Sequence, residues 1–414
     1  MHTVEEALDL ILNAVEALPS ERAPLDISLG RVLATPILAQ EALPGFDNSA
    51  VDGYAVRCGD VAGASAQAPR SLIVLGDRPA GGVSDHLTVL PGTAVRIMTG
   101  APVPEGAEAV VMREDTREAR DHVQVLTPAV LGENIRRTGE DVAAGSVVLN
   151  AGEVLKPASI ALLAALGQLD VRVVRRPRVA LVATGDELVW PDQPLGPGQI
   201  RAGSAPALEA MVQEAGGIPV QWGIIPDDRA SLEAAFARAS EVDLVLTTGG
   251  VSVGDHDLVR EVLAACGQVD FWRINMQPGK PLAFGRLGRT PIIGLPGNPV
   301  SSLVGFSLFA RPAIRKLMGH LAFRPPLFQA NLSHSHQKTA PRRQYLRSRV
   351  KVTSAGLSVE IGARQGSHQL SGLSWGNALA VLCEGPQKFS AGDAVPVLLL
   401  EDFEQYASCA DYAE

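Results

Sequence analysis

The sequence predicts a multidomain α/β plus β protein. A central parallel α/β sheet is preceded by an N-terminal mostly-β domain and followed by a C-terminal small β-barrel. Between Arg178 and Met318, continuous apolar runs alternate with helical stretches of about 10–15 residues, the pattern of βαβ units. On either side, short β-like runs are punctuated by Gly, Pro and Asp. The composition suits cores of Val, Leu, Ile and Ala: apolar residues fill 46% of 414 positions and aromatics 4%, while 41 Gly and 29 Pro supply turns. Such a chain is too apolar to be disordered. Its 36 Lys and Arg against 45 Asp and Glu give a net charge of −9. That argues against nucleic acid as a partner unless the basic residues cluster. No apolar run approaches the roughly 18–20 residues needed to span a bilayer.

The N-terminus reads as an amphipathic helix. Thr3 and Glu6 have capping-box spacing, Val4, Leu8, Ile11, Leu12, Val15 and Leu18 form one stripe, and Pro19 follows. It lacks the basic leader of a signal peptide. Tyr54–Arg57, Ser71–Leu75, Ala94–Met98, Ala109–Met112 and His122–Leu126 are expected strands. A strand over Ser146–Leu149 and a helix over Ala158–Leu166 come next, the helix with Pro157 in its first turn and Gly167 past its end. In the central region, strands are expected at Val179–Ala183, Val220–Ile225, Val242–Thr247, Asp270–Asn275 and Pro291–Leu295. Helices are expected at Ala205–Ala215, Arg229–Ser240, Asp255–Ala265 and Val300–Met318, the last kinked or interrupted by Pro312. Leu327–Leu332, Gln344–Val352, Leu357–Ile361, Ala378–Leu382 and Ala394–Leu399 are the barrel strands, and the tail beyond carries acids and no base. Cys58, Cys266, Cys383 and Cys409 form no CxxC pair, which favours reduced thiols in a cytoplasmic protein.

Ligands of an open parallel sheet bind beyond the carboxyl ends of its strands. The segments there are Thr184-Gly185-Asp186-Glu187, Thr247 to Asp257 (TTGGVSVGDHD), Gln277-Pro278-Gly279-Lys280-Pro281 and Pro296-Gly297-Asn298-Pro299. The Gly249-Gly250-Val251-Ser252 turn before a helix suits a phosphate or other anion, and equally a plain strand-to-helix turn. It matches neither Walker A nor GxGxxG. Asp186, Glu187, Asp227, Asp228, Asp255 and Asp257 fall near the same edge, where Mg²⁺ could reconcile carboxylates with phosphate. Asp227 and Asp228 serve equally as caps of the following helix. Lys280, fixed between Gly279 and Pro281, suits an oxyanion. Two further polar clusters are Phe46–Ala55 and Asn134–Val142; the second reads more simply as a solvated loop.

Together these residues resemble the MoeA and gephyrin E-domain family of molybdopterin molybdenumtransferases. The resemblance rests on FDNSAVDGYAV (46–56), RIMTGAPVPEGAEAVVM (96–112), NIRRTGEDVAAG (134–145), ATGDEL (183–188), TTGGVSVGDHD (247–257), QPGKP (277–281) and GLPGNPVSS (294–302). RRQYLRSR (342–349) and SHQLSGLSWGNAL (367–379) match more loosely. It implies an elongated chain with a molybdopterin-binding-like α/β sheet at 176–322. It also implies a discontinuous helical/β domain at 1–45 and 134–175, an inserted mostly-β domain at 46–133, a barrel at 323–402 and an acidic tail at 403–414. It implies an enzyme of molybdenum cofactor biosynthesis that takes adenylated molybdopterin and molybdate, cleaves the phosphoanhydride with Mg²⁺ and releases AMP. It further implies a homodimer with a shared cleft, and contact with the adenylyltransferase that makes the substrate and with other cofactor-pathway proteins.

By the same resemblance Glu187, Asp228 and Asp257 are metal-binding and catalytic, with Lys280 holding phosphate or oxyanion. Thr184, Gly249, Gly250, Ser252, Pro296, Gly297 and Asn298 bind substrate. Asp52, Thr99, Arg137 and Asp141 come from the second protomer, with Asp52 and Asp141 catalytic. Arg347 and Ser371 are cleft positions of the C-terminal domain. Gln277 departs from members that carry a second lysine there, which removes one of two expected cations. A gephyrin-like scaffold that binds partner peptides without turnover is the alternative. It would be free to lose the carboxylates and the Pro-Gly-Lys turn that this chain keeps.

Overall fold

The computed structural model describes residues 1–81, 87–250 and 258–400. The central sheet comprises β1 (Arg178–Thr184), β2 (Ile218–Ile225), β3 (Leu244–Thr248), β4 (Gln268–Arg273), β5 (Pro281–Leu287) and β6 (Thr290–Leu295). Their order is β2-β1-β3-β6-β5-β4. The first four are mutually parallel, whereas β5 runs antiparallel to β6 and to β4. The expected parallel sheet is therefore mixed at one edge, and Pro281–Leu287, unassigned on the sequence, is the added strand. The cause is the two-residue Gly288-Arg289 link between β5 and β6, which can join only antiparallel neighbours.

Helices α1 (Ser204–Glu214), α2 (Arg229–Ala237) and α3 (Leu258–Cys266) connect the strands. Successive residues of β1 enter different cores: Val179 and Leu181 join one apolar cluster, Ala180 and Val182 the other. A strand buried on both faces has no need of polar alternation, which is why the run was continuous.

The expected Val300–Met318 helix is broken into α4 (Pro299–Gly305), a π-helical turn at Phe306–Ala310 and α5 (Arg311–Leu317). The irregularity lies in the turn before Pro312. Proline cannot donate to the Leu308 carbonyl and its ring crowds that group, so the preceding turn widens. Phe306 and Phe309 are buried there. The N-terminal helix, Val4–Asn13, has the expected capping box and packs its stripe into the same core. It ends sooner than the stripe suggested, although Val15 and Leu18 continue to pack. The Leu18 N–H donates to the Leu317 carbonyl at 2.8 Å.

The barrel strands are β7 (Leu327–Leu332), β8 (Arg343–Thr353), β9 (Gly356–Ile361), β10 (Ala378–Leu382) and β11 (Ala394–Leu399). Pairing runs β8-β9-β7-β11-β10 and returns to β8, so the five strands close. The N-terminal six-stranded sheet is assembled from Ala109–Met112, Gly53–Val56, Thr93–Ile97, Arg70–Arg78, His122–Val125 and Thr116–Ala119, in that spatial order. Ser20–Pro24 pairs with Asp170–Val174, joining the beginning of the chain to the segment that enters β1. Among the described residues no helix is long and apolar enough to cross a membrane. Cys58, Cys266 and Cys383 are free thiols, and Cys409 lies outside the described residues.

Candidate active site

A cleft of about 570 Å³ opens along the carboxyl edge of β1, β3 and β6. Such a volume suits a cofactor-sized ligand. Three strand ends form its floor: Thr184, Gly249-Gly250 and Pro296-Gly297-Asn298. Gly249 has φ +97°, and a Cβ there would lie 2.4 Å from the Thr184 carbonyl oxygen. Gly250 has φ +62°, and its Cβ would lie 2.2 Å from Val259. Only glycine tolerates both the left-handed backbone and the contact. Gly297 packs against Gly249 from the other side, its notional Cβ 3.4 Å from the Gly249 Cα, an ordinary van der Waals contact. Ser302 Oγ donates to Thr248 Oγ1 at 3.4 Å, and Thr248 Oγ1 to the Pro296 carbonyl at 3.3 Å, which ties the β3 and β6 turns together. Thr184 Oγ1 is buried beside the glycines without a hydrogen-bond partner among the described residues.

The acids divide. Glu187 and Asp227 line the cleft, and Asp186 accepts from the Asp227 N–H at 3.1 Å. Burial, then the charges of Asp186 and Glu187, push the Asp227 carboxyl above its ordinary range. Asp228 caps α2: Ser231 N–H donates to its Oδ1 at 2.9 Å and Ser231 Oγ to its Oδ2 at 2.6 Å. The Ser231 hydroxyl and then its N–H hold the Asp228 carboxyl below the usual range. Between the two neighbours, the acid facing the cleft is Asp227, because α2 needs the next residue for its cap. Ser252 and Asp257 lie outside the described residues. Lys280 is half-buried immediately before Pro281, a cleft-lining residue. Its carbonyl accepts from the Ile274 N–H at 3.0 Å, and Gly279 turns the chain with φ +98°.

Residues of the N-terminal clusters form a separate polar surface. Asp52 Oδ1 accepts from the Thr99 N–H and hydroxyl, each at 2.7 Å, and these bonds lower its pKa. Arg137 Nη1 donates to Asp47 at 2.7 Å, and Asp47 also accepts from Thr138. Asp141 is exposed nearby, its N–H on the Leu43 carbonyl at 3.1 Å. None of Asp52, Thr99, Arg137 or Asp141 lines the central cleft of its own chain.

Arg347 and Ser371 do not line it either. Arg347 is only 1% exposed, and its guanidinium donates to the Arg364 carbonyl at 2.6 and 3.0 Å and to the Gly366 carbonyl at 3.3 Å. Ser371 accepts from Arg364 Nη1 at 2.9 Å. Both brace the loop that carries His368 to the cleft wall. His368, Arg201 and Ser204 at the start of α1 are cleft residues the sequence reading missed. The turn-rich QGSH stretch was the available signal for His368; nothing local marked Arg201.

Three family models match in succession: the MoeA N-terminal region, domains I and II, at residues 2–167; a probable molybdopterin binding domain at 180–316; and the MoeA C-terminal region, domain IV, at 329–400. Molybdopterin molybdenumtransferase 2 of Mycobacterium tuberculosis is 40% identical over 404 residues, 96% of this chain and 99% of that one. The chain belongs to the MoeA family of molybdopterin molybdenumtransferases. As a member it is a transferase of molybdenum cofactor biosynthesis. The molybdopterin molybdenumtransferase of a Nostoc species is 39% identical over 411 residues, 97% of this chain and 94% of that one. The crystal structure of a MoeA protein from Pyrococcus horikoshii OT3 superposes with a TM-score of 0.82 at 32% identity, covering 96% of this chain and all of the other. The closed barrel, the curled N-terminal sheet and the central α/β sheet are thus the MoeA multidomain fold.

Proposed function

We propose that this chain transfers molybdenum from molybdate to the dithiolene sulfurs of adenylated molybdopterin, with Mg²⁺-dependent cleavage of the phosphoanhydride and release of AMP. The observation that carries the reading is one cleft that combines a glycine-built floor with an acidic rim. The Gly249-Gly250 backbone leaves room for phosphate to approach closely, and the Thr184 hydroxyl, without a partner among the described residues, lies beside it. Pro296, Gly297 and Asn298 form the neighbouring wall and suit the flat pterin. Lys280, directly before the cleft residue Pro281, would supply one cation and Arg201 on the cleft wall a second, where Gln277 supplies none.

The acids fit Mg²⁺. Among the described residues no three His, Cys, Asp or Glu gather into a metal cage, and Asp257 lies outside them. Mg²⁺, however, is ordinarily held by one or two carboxylates together with substrate phosphates. Glu187 and Asp227 provide two, and the raised pKa of Asp227 is the strain that a cation would relieve. Asp228, beside them, retains unused lone pairs on its capping oxygens. When bound, Mg²⁺ would neutralise charge on the phosphates and on the AMP leaving group.

The same proposal makes the working form a cytoplasmic homodimer. Asp52, Thr99, Arg137 and Asp141 of one copy would complete the cleft of the other, and the adenylyltransferase would deliver the substrate. The test supplies adenylated molybdopterin and Mg²⁺ with and without molybdate. AMP release should require molybdate and yield active cofactor; release independent of molybdate overturns molybdenum insertion.

A further inference from the structure

A second cleft, of about 410 Å³, lies where the chain passes from the N-terminal region into the central sheet. Its walls are Glu21, Ile27 and Arg31 on one side and Arg175, Arg176, Arg178 and Ile218 on the other. Arg178 opens β1 and Ile218 opens β2, whereas the active cleft lies at the far ends of these strands. At roughly 3.3 Å per residue the seven residues of β1 separate the two sites by about 20 Å.

Four guanidinium groups meet here in a chain of net charge −9. Two have partners of opposite charge. Asp243 accepts from Arg175 Nη1 and Nη2 at 2.7 and 2.6 Å, and Glu21 pairs with Arg31. Asp243 also accepts from the Arg178 N–H at 2.8 Å, which pins the Arg175–Arg178 crossing against the sheet. Among the described residues the other two arginines have no carboxylate partner. Arg178 donates only Nε, to the Glu241 carbonyl at 3.3 Å, and Glu241's carboxylate is taken by Arg238. Arg176 is exposed, and its guanidinium has no partner among the described residues. Arg31 is only 5% exposed, and its Nε has no hydrogen-bond partner among the described residues.

Two guanidinium groups without a carboxylate among the described residues, on a fixed backbone and beside a buried and incompletely satisfied third, make a cation-rich recess. We propose that this seam cleft binds a small multivalent oxyanion of the phosphate class, at a site separate from the active cleft. Arginine suits such ligands because its planar fork presents paired donors to tetrahedral oxygens. The recess is within the size range of small-molecule sites. Because its arginines come from both sides of the seam, a bound anion would join the N-terminal region to the central sheet.

The probe is inorganic pyrophosphate, titrated calorimetrically into the full chain in EDTA at constant ionic strength. A saturable site should persist in Glu187→Gln/Lys280→Ala, which alters only the active cleft. It should weaken by about tenfold or more, a difference well above titration error, in Arg176→Gln/Arg178→Gln. Arg176→Glu should produce the same loss without removing the Arg178 hydrogen bond, so a folding defect at Arg178 cannot imitate the result. Absence of saturable binding in the unaltered chain overturns the proposal. So does binding that survives in both arginine variants but disappears in Glu187→Gln/Lys280→Ala, because the anion then belongs to the active cleft.

Discussion

Asp227 is an acid whose surroundings oppose its charge. Its carboxyl is pushed up by burial and by Asp186 and Glu187, so the folded state holds that proton more tightly than the unfolded chain does. The stabilising effect of that proton is complete below the unfolded pKa and is lost as pH rises through the folded value. Asp227→Asn should therefore raise the melting temperature at pH 7, with the gain disappearing in thermal scans as pH falls toward the ordinary carboxylate range. The same substitution should reduce Mg²⁺-dependent AMP release by about a hundredfold, if loss of one charge-stabilising group behaves as it does elsewhere. Asp228 calls for a paired comparison. Asparagine caps a helix as well as aspartate. Asp228→Asn should keep the thermal stability that Asp228→Ala loses, and both should lose turnover. Turnover unchanged in Asp228→Asn would restrict this residue to the cap that Ser231 reveals.

At the level of elements, the turns that end β1, β3 and β6 were legible because the rule for parallel sheets says where to look. Glu187, Thr184, Gly249 and Pro296 each follow an apolar run closely, and each lines the cleft. His368 and Arg201 were not legible. They arrive from a loop of the barrel region and from the approach to α1, and local sequence does not say which sheet edge a distant loop will meet. Arg347 shows the converse: the family resemblance implied a cleft position, yet it is buried under the loop it braces. The β5–β6 hairpin was missed for a related reason, since Pro281–Leu287 directly follows a ligand turn and reads as its continuation. Two consequences can be measured. Gly249→Ala forces a Cβ against the Thr184 carbonyl at positive φ, and strain of that kind costs about 1–3 kcal/mol before any clash is relieved. It should lower the denaturation midpoint and abolish substrate binding together. Phe309→Ala empties a fully buried site in the π turn and should cost about 3–5 kcal/mol in chemical denaturation.

On the scale of the whole molecule, the proposed shared cleft draws on two polar surfaces that lie apart within one chain. Asp52 with Thr99, and Arg137 with Asp47, are ordered by short hydrogen bonds, yet none of these residues reaches the cleft containing Glu187 and Gly249. A two-fold dimer would bring the N-terminal surface of each copy to the central cleft of the other, giving two equivalent sites. Subunit mixing distinguishes that arrangement from a cleft complete within one chain. Asp52→Ala and Glu187→Gln should each be inactive alone. If every site draws Asp52 from one copy and Glu187 from the other, a mixed dimer has one site with both defects and one with neither. Random exchange makes about half the dimers mixed, so activity should recover to about a quarter of that of the unaltered enzyme. With both residues required from the same chain, every site in the mixture carries one defect and no activity returns. Mixing after denaturation and refolding, with AMP release as the readout, therefore decides whether the two surfaces belong to one cleft.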